Sequence, residues 1–447
     1  MLSTVSTVVV LAAVAVAGVA GRINGPIRHV VVAAASHYDA GRQVGNQTRD
    51  LIERHRQRAQ ELADWITTHP IAAELNQTWY SNAEAAFPWL VEELHGIAAG
   101  SGMPFELIWN LNLGMEFYTL KTQCDGAGRS DVCGSAPVSA KYKARCTDVF
   151  SWANGTSNVP FWGHNEDSGF HDINTTFLLT IKVPGQQGGG AFEPGSDYTA
   201  YCYVGTMGGN AFGWNANGLF LSTNALFAHN VNGINGIPRV IHNRALLGAK
   251  NYHDAVMLAH GIPSATAFSM NVAMRGDLKA PHLRHRRAAA ARTLPSWQER
   301  IFYHNTEVDI TGAVAETPVF RQFFPPGPVP PPAPIPGTVN GPRDHLYHAN
   351  DFLSLNTTQD LDTSSIHRVL RLRAMPVPHN ADGVRQMLGD THDAQWPIYR
   401  NGAAPDLDAY TIATVLFRFD LEEVHIYNDN PKTSDPVAVL PFYPATH

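Results

Sequence analysis

The run Cys-Thr-Asp-Val-Phe-Ser-Trp at residues 146–152 has the β-branched and aromatic composition of a strand. Asn154-Gly155 follows it as a tight-turn signal, and Val-Pro-Phe-Trp-Gly at residues 159–163 begins a returning strand. The segment just upstream, residues 134–145, is polar and rich in turn formers. We therefore predict a β-hairpin whose first strand opens at Cys146, where helices give way to sheet.

On the N-terminal side, apolar spacing predicts helices over most of residues 40–120. The first runs over residues 48–63 and the second over residues 89–98. A third, over residues 105–120, follows the breaker Gly-Met-Pro at 102–104. On the C-terminal side, the sequence predicts strands at 177–181, 218–222, 411–419 and 423–427, and helices at 237–260 and 363–373.

Composition and charge exclude two classes of protein. The chain has 447 residues, of which 44% are hydrophobic and 16% charged, so it can bury a large core and is not disordered as a whole. Its formal net charge of −7 lacks the excess of Lys and Arg that a nucleic-acid-coating protein needs. No nucleic-acid partner is therefore expected.

The N-terminal residues have the pattern of a targeting signal. An apolar run at residues 8–17 ends in the small residues Gly-Val-Ala-Gly at 18–21, which predicts a secretory signal over residues 1–20. No basic residue precedes the run, so an uncleaved anchor is the alternative. No other stretch is long enough to span a bilayer, so no membrane insertion is expected after signal removal. The predicted location is secreted, or a lysosomal or vacuolar lumen.

Glycosylation signals and cysteines agree with a lumenal protein. Five Asn-x-Ser/Thr sequons are candidate glycosylation sites: Asn46, Asn76, Asn154, Asn174 and Asn356. Four cysteines are too few for a disulfide framework. Cys124 and Cys133 bracket a Gly-rich loop and could close a small disulfide, whereas the apolar surroundings of Cys202 indicate a buried, inert thiol.

Two segments are predicted to be insertions. Residues 282–292 are basic and Ala-rich, typical of a solvated helix or loop, and residues 324–337 hold eight prolines, typical of a polyproline spacer. Motifs for phosphate, zinc and calcium binding are absent from the sequence, and the pair His282 and His285 is typical of a solvated surface. The sequence therefore predicts no metal and no cofactor.

Cys146 is the residue to which chemistry can be assigned. If the bond after Arg145 were cut, Cys146 would become an N-terminus, and its α-amine, with a pKa of about 8, could accept the thiol proton. Nucleophile and base would then be one residue on a rigid strand. The alternative interpretation of the same pattern is a buried structural cysteine.

Five pairs of stretches, taken in order, resemble a known family. They are residues 93–102 with 109–112, 146–148 with 163–168, 208–219 with 222–226, 348–352 with 363–368, and 388–392 with 411–417. Together they resemble the acyl-coenzyme A:6-aminopenicillanic-acid acyltransferase family of self-processing N-terminal nucleophile hydrolases. The resemblance implies an α+β fold of the four-layer αββα sandwich type.

The resemblance also implies roles for particular residues. Cys146 matches the nucleophile, freed by autocleavage after Arg145, and Asp167 matches the aspartate that holds its amine and thiol in register. Asn224 matches the side-chain donor of the oxyanion hole, with a turn residue as the alternative, and Arg368 matches a site arginine. The mature protein would be two associated chains, residues 21–145 and the catalytic chain 146–447.

Three positions depart from the family pattern. Arg145 stands where Gly is usual, Asp148 replaces a small hydroxyl residue, and His164 stands where bile-salt and acylethanolamine hydrolases carry Arg.

The implied activity is hydrolysis or acyl transfer on a linear, non-peptide or peptide-like small-molecule amide, through a thioester. The alternatives are a lysosomal lipid amidase of the acylethanolamine or ceramide type and a non-catalytic glycoprotein that keeps the fold.

Overall fold

The structure is a computed structural model that describes residues 25–126, 145–152, 160–188, 191–227, 235–275, 301–308, 314–317, 345–353, 362–402 and 409–442. Several expectations lie outside these residues: the signal, both insertions, the Cys124–Cys133 disulfide, and the sequons Asn154 and Asn356. Two sheets and flanking helices make up the described part. The predicted α+β class is confirmed.

Helices dominate the N-terminal third, as predicted. They are α1 (His37–Gln47), α2 (Arg49–Arg54), α3 (Arg56–Thr68), α4 (Pro70–Ala86), α5 (Pro88–Ser101), α6 (Phe105–Asn112) and α7 (Gly114–Gly126). Farther along lie α8 (Arg239–Leu246), α9 (Tyr252–Gly261), α10 (Thr363–Ala374) and α11 (Ala381–Leu388).

Two of the predicted helices are interrupted next to a side chain that hydrogen-bonds to a residue outside that helix. The helix expected over 48–63 is interrupted at His55, whose buried ring lies 3.2 Å from the Thr175 hydroxyl. The helix expected over 105–120 is interrupted at Leu113. Just before it, the Asn112 amide donates to the carbonyls of Ile108 and Gly205, and so competes with the helical hydrogen bonds.

Glycines allow α1 and α5 to touch along their backbones. A Cβ atom on Gly41 would lie 1.9 Å from the Glu93 carbonyl oxygen, and one on Gly96 would lie 2.1 Å from the Tyr38 carbonyl oxygen. No side chain fits at either position without moving the helices apart. The pair therefore forms a rigid platform under the larger sheet.

The larger sheet has eight strands in the order β1-β4-β7-β8-β9-β10-β11-β12. The pairing of β1 with β4 is parallel and the other pairings are antiparallel. Its strands are β1 (Arg28–Ala33), β4 (Phe177–Val183), β7 (Ser196–Cys202), β8 (Phe212–Asn215), β9 (Leu219–Ala225), β10 (Phe268–Arg275), β11 (Ile301–Val308) and β12 (Val314–Thr317). A separate small ribbon pairs β5 (Gln186–Gly188) with β6 (Ala191–Glu193).

The smaller sheet has six antiparallel strands in the order β13-β2-β3-β14-β15-β16. They are β2 (Arg145–Trp152), β3 (Pro160–Ser168), β13 (His345–His348), β14 (Tyr410–Arg418), β15 (Glu423–Tyr427) and β16 (Ala438–Pro441). The predicted hairpin is confirmed as β2 and β3. Cys146 lies opposite Glu166 in its register, and Asp148 lies opposite His164.

Three large groups of buried apolar side chains hold the elements together, besides a small fourth group of Leu226, Ala267 and Phe352. One joins the N-terminal helices to one face of the larger sheet, and a second contains residues from both sheets, such as Phe220 and Phe417. The third joins the smaller sheet to α10 and α11, through residues such as Leu372 and Val384. In the described part of the chain, no helix has the length and hydropathy needed to cross a membrane.

The three described sequons differ in their surroundings. Asn46 and Asn174 are exposed, and Asn174 has a left-handed φ of 61°. Asn76 is half-buried in α4, where its Nδ2 donates to Asn110 and its Oδ1 accepts from Trp109. Sugar attachment at Asn76 would require breaking the bond that Nδ2 makes.

Candidate active site

Cys146 begins the hairpin at a point where its backbone lacks a strand on one side. The last register pair of β13 with β2 joins His348 to Asp148, so β13 stops short of Cys146. Side chains take over there: the Cys146 amide donates to Asn350 Oδ1 at 3.0 Å, and its carbonyl accepts from Arg368 at 2.6 Å. The backbone of Cys146 is thus clamped by two side chains that come from distant parts of the sequence.

This clamp also determines which side chains meet. Since the amide and carbonyl of Cys146 point away from β3, Cys146 and Glu166 form the non-hydrogen-bonded kind of antiparallel pair, whose side chains approach closely. Asp148 and His164, two residues along, form the same kind of pair on the same face. Four chemically active side chains therefore form one block between the sheets.

The thiol of Cys146 lies against a carboxylate. Its Sγ is 3.7 Å from Glu166 Oε2, and the same oxygen lies 3.0 Å from His164 Nε2. The other carboxylate oxygen, Oε1, accepts from the Tyr203 hydroxyl. Cys146, Glu166 and His164 are each at most 3% exposed.

The far side of His164 is held by Asp148. His164 Nδ1 lies 2.8 Å from Asp148 Oδ2, and Asp148 Oδ1 accepts from Trp162 Nε1 at 2.9 Å and from Ser222 Oγ at 2.6 Å. The last of these bonds crosses from β9 of the larger sheet. Both sheets therefore fix the orientation of the imidazole.

Burial and charge set the protonation of this block. Burial, reinforced by the neighbouring Glu166 carboxylate, raises the pKa of the Cys146 thiol to about 11. Burial alone would lower the pKa of His164, but the contact with Asp148 overcomes this and holds it well above its usual value. The resting state at neutral pH is thus a protonated thiol beside an imidazolium that is flanked by two carboxylates.

Asp167 lies on the opposite face of the hairpin from the thiol. Its Oδ1 accepts from Thr411 at 2.6 Å, and its Oδ2 is 3.8 Å from Arg400 and 4.0 Å from Arg368. Burial raises the pKa of Asp167 to about 6 despite these two cations. The described contacts link Asp167 to Cys146 through Arg368.

Arg368, on α10, is the centre of the clamp. One guanidinium nitrogen donates to the Cys146 carbonyl and to Thr147 Oγ1, each at 2.6 Å. The other donates to Asn350 Oδ1 at 2.8 Å, the same oxygen that accepts from the Cys146 amide. The structure therefore places the sequence-predicted arginine directly on the backbone of the predicted nucleophile.

Asn224 lies within β9, so the alternative reading as a turn residue is wrong. Its side chain is fully buried, and Oδ1 accepts from Asn271 at 2.9 Å. Its Nδ2 donor has no hydrogen-bond partner among the described residues. The neighbouring Ala225 carbonyl accepts from Asn350, the residue that also holds the Cys146 amide.

Arg145, before the predicted scissile bond, is the first residue of β2. Its guanidinium donates to Asp362 Oδ1 at 3.0 Å, and Asp362 also caps the N-terminus of α10 by accepting from the Ser365 amide. The bulky side chain is therefore accommodated by an ion pair beside the site. Cys202, in contrast, is buried in β7 away from these groups, as predicted.

Sequence reasoning missed Glu166, Tyr203, Asn350 and Ser222, and treated Asp148 and His164 only as departures. The sequence did contain a signal for the cluster around the thiol. Cys146 and Asp148 are two residues apart on one predicted strand, and His164 and Glu166 are two residues apart on the next, so each pair lies on one face of its strand. The donor atoms of Cys146, His164 and Glu166 lie within 4.8 Å of one another, and hydrogen bonds account for that spacing. A metal ion would have to displace those bonds.

Comparison with known proteins places part of the chain in a described family model. Residues 153–280 match the family model described as acyl-coenzyme A:6-aminopenicillanic acid acyl-transferase. This is the family that the sequence resembles, and the match covers less than a third of the chain. The matched segment includes Asp167 and Asn224, while Cys146 lies just before it and Arg368 beyond it.

A relative supports the same assignment over nearly the whole chain. The beta-alanyl-dopamine/carcinine hydrolase of Drosophila melanogaster is 22% identical over 422 residues, which cover 92% of this chain and 95% of the relative. The two findings together place the chain among hydrolases and acyltransferases that act on amide bonds.

Proposed function

We propose that the chain is a self-processing N-terminal nucleophile enzyme, an amidohydrolase or acyltransferase that carries its acyl group as a thioester on Cys146. The observation that carries this proposal is the clamp on the Cys146 backbone. A structural cysteine in a strand needs only its neighbouring strands, whereas here Asn350 and Arg368 hold the amide and the carbonyl from outside the sheet. Such a clamp keeps the residue in place after the chain is cut in front of it.

Turnover then follows from the geometry. After cleavage the amide nitrogen of Cys146 becomes an α-amine that shares Asn350 Oδ1 with the Arg368 guanidinium. Burial and the Arg368 guanidinium disfavour the ammonium form, against the opposite effect of the Glu166 carboxylate, and the neutral amine serves as the base. The thiolate attacks the acyl carbon, and the amine protonates the leaving nitrogen.

Asn224 supplies the electrostatic part of catalysis. Its Oδ1 is engaged by Asn271, which leaves Nδ2 as a buried donor without a partner among the described residues. An unused buried donor is costly in a resting structure, and it becomes favourable when an oxyanion develops beside it. We assign Nδ2 of Asn224 to that role.

The finer fold proposal is a four-layer αββα sandwich. The three buried apolar groups support it, because they connect helices to the larger sheet, the larger sheet to the smaller, and the smaller sheet to α10 and α11. The thiol block would then lie in the middle of the sandwich, between the two sheets.

The two chains of the processed protein would stay associated. Residues 25–126 contribute β1, which pairs with β4 in parallel, and helices whose apolar faces pack on the larger sheet. No single cut after Arg145 removes these contacts. The exposed sequons Asn46 and Asn174 are compatible with a secreted or lysosomal glycoprotein.

For the substrate, we propose a small linear amide of the kind named in the relative. The first compounds to test are beta-alanyl-dopamine and carcinine. A fatty-acyl ethanolamide and a ceramide serve as the lipid-amidase alternatives, and an acyl-enzyme that reacts only with an added amine would indicate acyl transfer.

The experiment has two readouts on purified, deglycosylated protein. Denaturing electrophoresis with N-terminal sequencing should give two chains, the larger beginning Cys-Thr-Asp-Val, and intact mass after substrate addition should show an acyl adduct on that chain. A single uncut chain that hydrolyses amides would refute self-processing. An uncut chain with no activity on any substrate of the panel would favour the non-catalytic glycoprotein.

A further inference from the structure

The uncut chain has a chemical difficulty at its first step. Before cleavage the nitrogen of Cys146 is an amide that donates to Asn350, so it has no basic lone pair for the thiol proton. Burial, together with the adjacent Glu166 carboxylate, raises the pKa of the thiol to about 11, so the thiol does not ionise unaided. Another group in contact with Sγ has to take the proton.

We propose that Glu166 is the base for self-cleavage and that His164 and Asp148 are positioning residues that hold it. This inference rests on the proposed function, and it assigns the step that the α-amine cannot perform. Glu166 Oε2 is 3.7 Å from Sγ, and the register of the hairpin places the two side chains directly opposite each other. General acid–base catalysis requires a contact of this kind.

His164 is unsuited to the role. Each of its ring nitrogens faces a carboxylate, with Nδ1 at 2.8 Å from Asp148 and Nε2 at 3.0 Å from Glu166. A ring that donates at both nitrogens is an imidazolium and has no lone pair to offer. The ring also hydrogen-bonds to the Cys146 thiol, and as a cation it can stabilise the thiolate but cannot take its proton. We assign it to holding Glu166 and the thiol together, while Asp148 fixes the ring.

Charge counting supports the same assignment. The block contains two carboxylates, Asp148 and Glu166, and one imidazolium, His164, so one negative charge is left over beside the thiol. Asp148 is saturated by Trp162, Ser222 and His164, which leaves Glu166 as the carboxylate that contacts sulfur. Other titratable groups that act on Glu166 are Asp167, Tyr201 and Tyr203.

The step balances as follows. The S–H bond breaks as its proton passes to Glu166 Oε2, and sulfur forms a bond to the carbonyl carbon of Arg145. The C–N bond then breaks, and the proton held on Glu166 passes to the Cys146 nitrogen, which becomes the free amine. Water finally cleaves the Arg145 thioester, which restores the thiol and leaves a carboxylate on Arg145.

The test compares cleavage of the full chain in two glutamate variants. Glu166→Gln keeps the shape of the side chain and removes the base, so we expect self-cleavage at least about 100-fold slower than in wild type. Glu423→Gln is the matched control. Glu423 Oε2 lies 2.8 Å from the ring of His425, and the two residues are separated by two positions on β15, as His164 and Glu166 are on β3. Glu423→Gln should cleave as fast as wild type.

A second arm separates loss of the base from loss of folding. Replacing residues 142–144 by Ile-Glu-Gly creates a factor Xa site that ends at Arg145. Because this bond is buried in β2 of the folded chain, the protease is added during refolding from urea, which frees Cys146 in Glu166→Gln and, in parallel, in wild type. After that cut the α-amine exists, and hydrolysis should return to within about tenfold of the cut wild type. If the cut variant stays inactive, Glu166 is also needed for turnover, and the proposal that it acts as the base for self-cleavage alone is wrong.

Positioning is tested through pH. Asp148→Asn removes the contact that raises the pKa of His164, so the imidazolium that holds Glu166 loses its proton at lower pH, and the alkaline limb of the self-cleavage rate should move to lower pH. A limb that does not move, or Glu166→Gln cleaving at the wild-type rate, would overturn the inference. Wild type that never cleaves would instead contradict the proposed function.

Discussion

Two buried clusters of charge lie on opposite sides of the larger sheet, and they are balanced differently. In the helical part, the Glu93 carboxylate accepts from Arg244 at 2.7 and 3.1 Å and lies 3.0 Å from His37. Arg244 also lies 4.4 Å from the centre of the Tyr198 ring. Every charge there has a close partner.

The cluster around Cys146 is unbalanced, because Asp148 and Glu166 share one imidazolium. The consequence appears in the protonation of each cluster. Burial would raise the pKa of Glu93, but Arg244 and His37 lower it to about 2, whereas burial and Glu166 raise the pKa of Cys146 to about 11. A cluster in which every charge is paired keeps the same protonation state through the physiological pH range. A cluster with an unpaired carboxylate beside a nucleophile can accept a proton from that nucleophile. The following changes test this difference between structural and chemical clusters.

The largest expected effect is that of Cys146→Ala compared with Cys202→Ala. Both cysteines are buried strand residues, but only Cys146 contacts the unbalanced cluster. Cys146→Ala should abolish both self-cleavage and turnover, and it should lower the thermal midpoint no more than Cys202→Ala does, since both thiols are buried. Cys202→Ala should lower the midpoint, because it leaves a small cavity in the core, and should keep the activity of the folded fraction. Residual turnover in Cys146→Ala would remove this cysteine from the mechanism.

The balanced cluster should respond in stability. Glu93→Gln leaves Arg244 buried without its charge partner, which costs about 3–5 kcal/mol of unfolding free energy. Since folding lowers the pKa of Glu93 to about 2, its contribution is present above about pH 4.5 and is lost as the pH falls towards 2. Chemical denaturation from pH 2 to 7 should therefore show a flatter pH dependence in Glu93→Gln than in wild type.

Kinetics provide the control for that measurement. Folded Glu93→Gln should keep the wild-type kcat/KM at a temperature well below its unfolding transition. A specific loss of kcat in fully folded protein would mean that the helical cluster also takes part in chemistry, and the contrast between the two clusters would fail.

Asn224→Ala should affect the rate more than the stability. Losing one oxyanion-hole donor typically costs about 2.7–4 kcal/mol, or 100- to 1,000-fold in kcat, with little change in KM. Nδ2 has no partner to lose among the described residues, and loss of the bond that Oδ1 accepts from Asn271 should lower the free energy of unfolding by about 0.5–1.5 kcal/mol. Steady-state kinetics and a thermal melt on the same preparation check both parts. A lower melting temperature with normal kcat would return Asn224 to a structural role.

Local patterns in the sequence predicted the hairpin well and the helix boundaries less well. Composition and the turn signal placed β2 and β3, because a strand of apolar and β-branched residues is a local property. The breaks at His55 and Leu113 depend on contacts with Thr175 and Gly205, which are remote in sequence. Local spacing carries no information about such partners.

The candidate site, too, could be predicted from the sequence only where it depends on local patterns or on the family resemblance. Cys146 was indicated by its place at the start of a predicted strand, and the resemblance added Asn224 and Arg368. The predicted strand and helix that hold Cys146 and Arg368 are present, whereas the strand predicted at 218–222 extends to Ala225 and so includes Asn224. Alternation along the hairpin could have revealed Glu166 opposite Cys146, but the register depends on the length of the turn. Asn350 could not be predicted, since it lies more than 200 residues from Cys146 and meets it only because β13 ends early.

The smallest expected effect lies at the edge of the unbalanced cluster, at Ser222. Its hydroxyl donates to Asp148 Oδ1 at 2.6 Å, and Trp162 donates to the same oxygen, so Ser222→Ala removes one of two donors. One such bond contributes about 0.5–1.5 kcal/mol, so self-cleavage should slow about tenfold or less. Because hydrogen bonds from His164 and Ser222 help to lower the pKa of Asp148, losing one raises it, and the acid limb of the rate should move to higher pH.

Ser151→Ala is the matched control, since Ser151 is a buried serine on β2 whose hydroxyl donates to the Pro378 carbonyl on the other face. Equal pH profiles in the two serine variants would show that Asp148 does not act on the thiol through His164.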